Sequence, residues 1–527
     1  MSMSVRMGRA IAAATGKRPR TACREARWLA TVALLASLAA CKVGPDYERP
    51  TAPTPASYKE IAGWKLSQPQ DALERGPWWS IYKDPVLDGL ARQIDISNQN
   101  LKASEAAYRA AVALVREDQA ALFPIVSLTG DATRSKASAG VGSGGFSAGG
   151  ARPAVNQFGL SLGASWDIDL WGRLRRTVES DVASAQASAG DLASARLSAQ
   201  SALAIAYFQL RVEDELKDLL DDAADGYQRS LEITRNKYNV GNAARSDVAQ
   251  AETQLEATQA QAINVGVQRS ALEHSIAALI GKPPAELTIA PVKRFAMEMP
   301  VVPPGMPSGL LERRPDISAA ERRVAADNAL IGVAIAAYYP DLTLSASYGF
   351  ASNALANLIQ ASNSVWSLGP SLTETVLDFG ARGAKVEIAR ADYDQGVANY
   401  RETVLGAFQQ VEDELAALRI LADQAKVQAV AVKSARLAEQ LIFNQYKAGT
   451  VDYTSVVTAQ VTALNNEEAE LTIQQNRLVA SVTLIEALGG GWSASELPSG
   501  DKITPGLLSS VSDALAAPEA ALEPSGK

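Results

Sequence analysis

From Gly172 to about Asn236, and again from Gly380 to Tyr446, the chain runs without proline and with only isolated glycines. Alanine, the strongest helix former, is frequent in both stretches. At 1.5 Å per residue each predicts a helix roughly 100 Å long. Ordinary globular helices average about 11–12 residues. The last helical stretch shows how such rods are satisfied: Val457, Leu464, Leu471, Leu478 and Ile485 are spaced by seven throughout. A sustained seven-residue spacing implies left-handed supercoiling against neighbours.

The chain also repeats itself once. Tyr238-Asn239-Val240-Gly241 returns 208 residues later as Tyr446-Lys447-Ala448-Gly449. At the same spacing Leu210-Arg211 returns as Leu418-Arg419, and Trp171-Gly172 as Phe379-Gly380. Phe123-Pro124 matches Tyr339-Pro340 at an offset of 216, and the extra eight residues fit in the Gly/Ser-rich stretch from Ser138 to Gly150. A period this long is not a solenoid repeat. It predicts a duplicated half, each copy reading as helix, two strands, very long helix, turn, helix.

The strands carry the membrane signal. Phe158, Leu160, Leu162, Ala164, Trp166 and Ile168 alternate with Gly, Ser and Asp, and Leu342, Leu344, Ala346, Tyr348 and Phe350 do the same. Val126 and Leu128, then Trp366, Leu368 and Leu372, supply a weaker strand in each half. Period-2 alternation marks strands, and about ten residues with small or polar groups on one face is the pattern of outer-membrane barrels. A soluble hairpin with one wet face is the alternative. No later stretch reaches 18 apolar residues, so a membrane crossing has to use strands. Four strands are too few to close a barrel and open edges are not tolerated in lipid, so several chains share one. Two copies give eight strands and three give twelve, and only the larger barrel leaves a lumen.

At the N-terminus seven basic residues and one acid precede an apolar run from Trp28 to Ala40, then Cys41. Thirteen residues are too few to span a bilayer, and basic, apolar, then small residues is the layout of a secretory signal. Leu38-Ala39-Ala40-Cys41 resembles a bacterial lipobox, with an ordinary signal and a chance cysteine as the alternative. Cleavage there takes the net charge from −8 to −14 and removes Cys23. The expected division is a signal over 1–40, a lipidated and equatorial segment over 41–85, a first repeat over 86–290, a linker over 291–309, a second repeat over 310–490 and a flexible tail over 491–527. Barrel strands are expected at about 124–136, 155–170, 341–351 and 364–377.

Composition removes other classes. One histidine excludes most zinc sites and any mechanism with two imidazoles. Two cysteines exclude a disulfide framework, and the acidic balance does not suggest a nucleic-acid partner. His274, alone on a helix, reads as structural. Gly140-Val141-Gly142-Ser143-Gly144-Gly145-Phe146 lacks the Lys-Ser/Thr pair of a phosphate loop and reads as a hairpin tip. No catalytic set, metal site or cofactor is expected beyond a covalent lipid on Cys41.

Together these residues resemble the TolC-type outer-membrane efflux factor family, in its NodT/OprM-like lipoprotein branch. The resemblance rests on Cys41-Lys42-Val43-Gly44-Pro45-Asp46-Tyr47-Glu48-Arg49-Pro50, on Trp78-Trp79 with Asp84-Pro85 and Leu87, on Arg314-Pro315-Asp316-Ile317 with Glu321, and on the paired Tyr-x-x-Gly turns. It covers roughly residues 41–490. It implies a mixed membrane α+β fold: a trimeric twelve-strand β-barrel, four strands per chain, continuous with a long-helix periplasmic α-barrel. It further implies a lipid-anchored outer-membrane exit duct working with a periplasmic adaptor and an inner-membrane transporter, often of the RND type, and conducting passively. Tyr238, Gly241, Asn242, Tyr446, Gly449 and Thr450 resemble the adaptor-contacting tips. Arg245, Asp247, Asp452, Tyr453, Thr454 and Thr458 resemble the periplasmic constriction, with helix capping as the plainer role. Thr458 stands where relatives often have Asp, and Val461 where they often have Arg, so an acidic ring is absent there. The competing reading of the whole chain is a lipid-anchored periplasmic coiled-coil scaffold without a pore; an envelope enzyme is the third.

Overall fold

The computed structural model describes residues 42–61, 77–136, 154–293, 295, 299–300, 302 and 309–504. The signal segment, Cys41, the Gly/Ser-rich loop at 138–150, most of the linker and the end of the tail lie outside the described residues. In chain order the principal elements are α1 (Pro85–Ser97), α2 (Gln99–Ala120), β1 (Ile125–Ser135), β2 (Val155–Ile168), α3 (Arg173–Asn239), α4 (Arg245–Leu279), α5 (Pro315–Ala336), β3 (Asp341–Ser352), β4 (Ser364–Thr373), α6 (Ala381–Ala448) and α7 (Tyr453–Ala487). The chain forms two compact units. Of the described residues, one holds those up to Pro45 and those within Gln119–Thr177 and Ile331–Val386; the other holds those within Asp46–Asp118, Val178–Leu330 and from Glu387 to residue 504.

The sheet unit is a four-stranded antiparallel meander in the order β1-β2-β3-β4. Strands expected to reach 170 and 377 stop at Ile168 and Thr373, because the following acids start helices. Asp169 accepts from the backbone N–H of Leu174 and Arg175 at 3.2 and 3.0 Å, and from Arg175 Nε at 3.1 Å. Asp378 does the same for Gly380 N and Arg382 N at 3.1 and 3.0 Å. Carboxylates suit helix starts, where unpaired N–H groups and the helix dipole both favour negative charge.

The helical unit begins with Asp84 capping α1 through Val86 N and Leu87 N, with Pro85 at the first helical position. One helix expected before the first strand is two: Asn98 breaks it, its Oδ1 accepting from Leu101 N at 2.9 Å and its Nδ2 donating to Leu279 O at 2.7 Å. The largest core gathers Trp78, Trp79, Tyr82, Leu87 and Ile94 against Tyr207, Phe208, Val404, Val411 and Leu484. Three polar tips inside it are satisfied, as Trp79 Nε1 donates to Asp88, Tyr207 Oη to Asp84, and Tyr82 Oη lies 2.7 Å from Ser481 Oγ, whereas the buried Tyr58 hydroxyl has no partner. The tail is ordered further than expected. Ile503 is buried with Val115 and Ala185, so the chain packs to residue 504 and the flexible-tail boundary at 491 is too early.

Four long helices end alike. Gly241, Gly281, Gly449 and Gly489 have φ of +78°, +68°, +80° and +92°. Each donates three residues back while the next residue donates five back, as Asn242 N does to Lys237 O at 2.8 Å and Thr450 N to Gln445 O at 3.1 Å. This is the Schellman termination, in which a left-handed residue satisfies the last carbonyls. Gly241 and Gly449, Gly281 and Gly489, and the positive-φ pair Gly172 and Gly380, are each separated by 208 residues.

Candidate functional site

Two surfaces among the described residues bear on function. The first is the sheet. Leu162 pairs with Leu128 on one side and Tyr348 on the other, and Tyr348 pairs with Trp366. Directly paired residues of an antiparallel sheet share a face. The register therefore places Val126, Leu128, Leu160, Leu162, Ala164, Trp166, Leu342, Leu344, Ala346, Tyr348, Phe350, Trp366, Leu368 and Leu372 on one continuous apolar face. Ser127, Thr129, Ser161, Ser165, Thr343, Ser345, Ser347, Ser367 and Ser371 occupy the other. Trp366 is 75% exposed and Leu128 72%. Strands of 11, 14, 12 and 10 residues are long enough to cross a bilayer. No helix among the described residues is long and apolar enough to do so. β1 and β4 each have one unpaired edge, which lipid does not tolerate.

This face sets a first prediction. Leu162→Arg impairs membrane insertion by about 2–4 kcal/mol at a lipid-facing position, whereas Ser161→Arg, on the polar face beside Gly349, inserts as wild type. The assay is the membrane-integrated fraction resistant to urea extraction. Equal integration of the two variants removes the lipid-facing assignment.

The second surface is formed by the α3–α4 and α6–α7 turns. A Cβ built at Gly241 or Gly449 meets nothing within 4 Å, whereas one at Gly281 overlaps the Ser97 carbonyl and one at Gly489 the Arg313 carbonyl. Identical turns thus differ in surroundings: two are packed into the chain, and two stand clear of it. Beneath the clear pair, Ala224, Tyr227, Leu231, Ala251, Leu255, Tyr446, Tyr453 and Val456 make a small core.

That core separates residues the sequence had treated as equivalent. Tyr238 is 43% exposed, but Tyr446 is 4% exposed. The Tyr446 hydroxyl donates to Thr234 Oγ1 at 3.1 Å, its ring lies 5.3 Å from that of Tyr453, and Lys237 sits 4.1 Å above it while donating to its carbonyl. Burial raises its pKa, as it does for Tyr453. Tyr446 therefore packs α6 onto α3 and offers no side-chain surface to a partner, unlike Tyr238, Asn242 and Thr450, which are exposed. Tyr453, also buried, lies 3.3 Å from Ser230 Oγ.

Among the other candidates, Asp247 accepts from Ala244 N at 3.1 Å, and Asp452 caps α7 by accepting from Ser455 N and Oγ at 3.0 and 2.6 Å. These bonds hold the Asp452 carboxyl below its usual range. Arg245, Thr454 and Thr458 are exposed. The sequence reading missed a polar ladder: Thr458 Oγ1 donates to Thr454 O, Thr462 Oγ1 to Thr458 O and Asn466 Nδ2 to Thr462 O, at 2.9, 2.7 and 2.7 Å. Its i, i+4 spacing was the available signal. With Ala435, Ala438 and Ile442 the ladder's first three members line an open groove of about 440 Å³. His274 is exposed on α4 and belongs to neither surface.

Known proteins share this geometry. The family described as outer membrane efflux protein matches residues 90–282 and 306–490. The toluene efflux pump outer membrane protein TtgC of Pseudomonas putida is 30% identical over 462 residues, 86% of this chain and 93% of that protein. The pyoverdine export outer membrane protein OpmQ of Pseudomonas aeruginosa is 30% identical over 440 residues, 84% of this chain and 92% of that protein. The outer-membrane channel OprN superposes with a TM-score of 0.79 at 30% identity, covering 86% of this chain and 100% of that one. The open state of the Neisseria gonorrhoeae MtrE outer membrane channel does so at 0.75 and 25% identity, covering 86% and 99%.

Proposed function

Because the chain belongs to the outer membrane efflux protein family, we propose that it is the outer-membrane exit duct of a tripartite efflux pump, passing substrates from a periplasmic adaptor and inner-membrane transporter to the exterior. The observation that carries this reading is the four-strand sheet with one continuous exposed apolar face and two unpaired edges. A periplasmic scaffold without a pore has no use for that face. Three copies close a twelve-strand barrel with a polar lumen.

Apolar stripes left exposed on the helices support further copies alongside: Val427, Val430, Leu437 and Leu441 on α6, and Ile263 and Val267 on α4. The glycine pairs 208 residues apart support descent of the two halves from one. Cys41 carries the lipid that anchors the mature chain, acyl chains at one cysteine adding to the barrel's own hold. The partner transporter, of the RND type, supplies the energy, and conduction through this chain is passive. Gly241 and Gly449 with Asn242, Thr450 and Tyr238 form the periplasmic rim.

Native mass spectrometry and planar-bilayer recording test the reading together. The expected result is a trimer of acylated chains that conducts ions. A monomer that never conducts would return the scaffold reading, and an intact mass with unmodified Cys41 would remove the anchor alone.

A further inference from the structure

Val43 and Gly44, half-buried between the exposed Lys42 and Pro45, sit in a seat within the sheet unit. Val43 N donates to Trp171 O at 3.1 Å. Arg176, in the first turn of α3, is fully buried; its Nε donates to Val43 O and its Nη2 to Gly44 O, both at 3.1 Å. Three glycines make the room. A Cβ at Gly172 would lie 3.1 Å from Lys42 Cα, one at Gly44 2.5 Å from Gly332 Cα, and one at Gly332 2.9 Å from Arg176 Nε. Gly172 and Gly44 also need their positive φ, +82° and +93°.

Arginine is almost never fully buried unless paired, and here two of its acceptors come from the far N-terminal end of the chain. Nothing in local propensity demands this. Removing these two carbonyl acceptors from a fully buried guanidinium would be disfavoured, and the loss would fall on the junction where β2 turns into α3 beside α5.

We propose that Gly172, Arg176 and Gly332 form a receptor for the chain's own processed N-terminal segment, and that seating Val43-Gly44 in it is required for the sheet unit to set and for chains to assemble. For its assembly readout the inference rests on the trimeric-channel reading. Arg176 acts as a positioning residue through the two carbonyls.

The test uses the full-length protein in its membrane and two insertions of Ala-Ala, neither touching a sheet or helix residue. Placed between Cys41 and Lys42, the insertion leaves the seated sequence whole, and SDS-resistant trimer forms as in wild type. Placed between Val43 and Gly44, it splits that sequence, and most of the trimer is lost although processing and acylation are unchanged. Equal trimer yields from the two insertions, whether both high or both low, overturn the proposal. A second measurement scores the seat directly. Val43→Cys, followed by peptide mass, reacts slowly with maleimide and becomes fast when combined with Gly332→Val or Arg176→Met, while Arg176→Lys retains part of the protection. Equally fast labelling in the otherwise wild-type chain overturns it too. If wild-type chains form no trimer, the channel reading fails while the labelling still decides the seat.

Discussion

Asp214→Ala destabilises the chain by about 3–5 kcal/mol, the cost of leaving a buried ion without its partner. The Asp214 carboxylate accepts from Arg211 Nη1 at 3.0 Å, Arg269 Nε at 2.7 Å and Val292 N at 3.2 Å. The Asp214 and Arg211 side chains are both almost fully buried. Removal leaves Arg211 with the Ala290 carbonyl at 2.8 Å and the Tyr207 ring at 4.9 Å, neither of which neutralises it. The control comes from the other half. Arg419, 208 residues after Arg211, is exposed and pairs at 2.6 Å with Glu60, which is only half-buried. Glu60→Ala therefore costs no more than about 1 kcal/mol. Urea midpoints of the detergent-solubilised protein compare the two, and similar shifts would remove the buried-network argument.

Thr450→Arg abolishes export while leaving trimer yield unchanged. Thr450 is exposed at the α6–α7 turn, its hydroxyl donating only to Gln445 O at 3.0 Å within its own turn. The adjoining Gly449 meets nothing that a side chain would disturb. The substitution therefore spares the fold and acts on whatever docks there. Loss of a docking hot spot worth about 2 kcal/mol weakens an interface roughly 30-fold. Photo-crosslinkers at Asn242 and Thr450 capture the periplasmic adaptor, whereas one at Tyr446, enclosed in the core, captures none. Continued export by Thr450→Arg, with no crosslink from Asn242, would move the rim elsewhere on the molecule.

The legible part of this protein was local. Period-2 alternation at Phe158–Ile168, proline-free runs after Gly172 and Gly380, and Gly241 and Gly449 at equal spacing each concern residues a few positions apart. Backbone geometry converts such patterns directly into strand, helix and helix end. The near-coincidence of expected and observed strands follows from that, and so does the small overshoot past Ile168 and Thr373, where side-chain caps end the strands. The acid next to each turn could be read as a cap or as part of a constriction, and the hydrogen bonds of Asp247 and Asp452 supply the capping role.

What only the tertiary structure decided involves residues far apart in the chain. The pairing of β2 with β3 joins the two halves into one sheet. Tyr446 is enclosed while Tyr238 is exposed, because Thr234 and Lys237 of α3 meet Tyr446 of α6. Arg211 is buried and Arg419 exposed although each follows a leucine at the shared spacing, Ala422 standing where Asp214 pairs with Arg211. Val43 and Gly44 find their donors on Arg176 across some 130 positions. Burial and pairing depend on what the rest of the chain brings alongside, so two copies of one motif can form the same turn and still face a core in one half and open surface in the other.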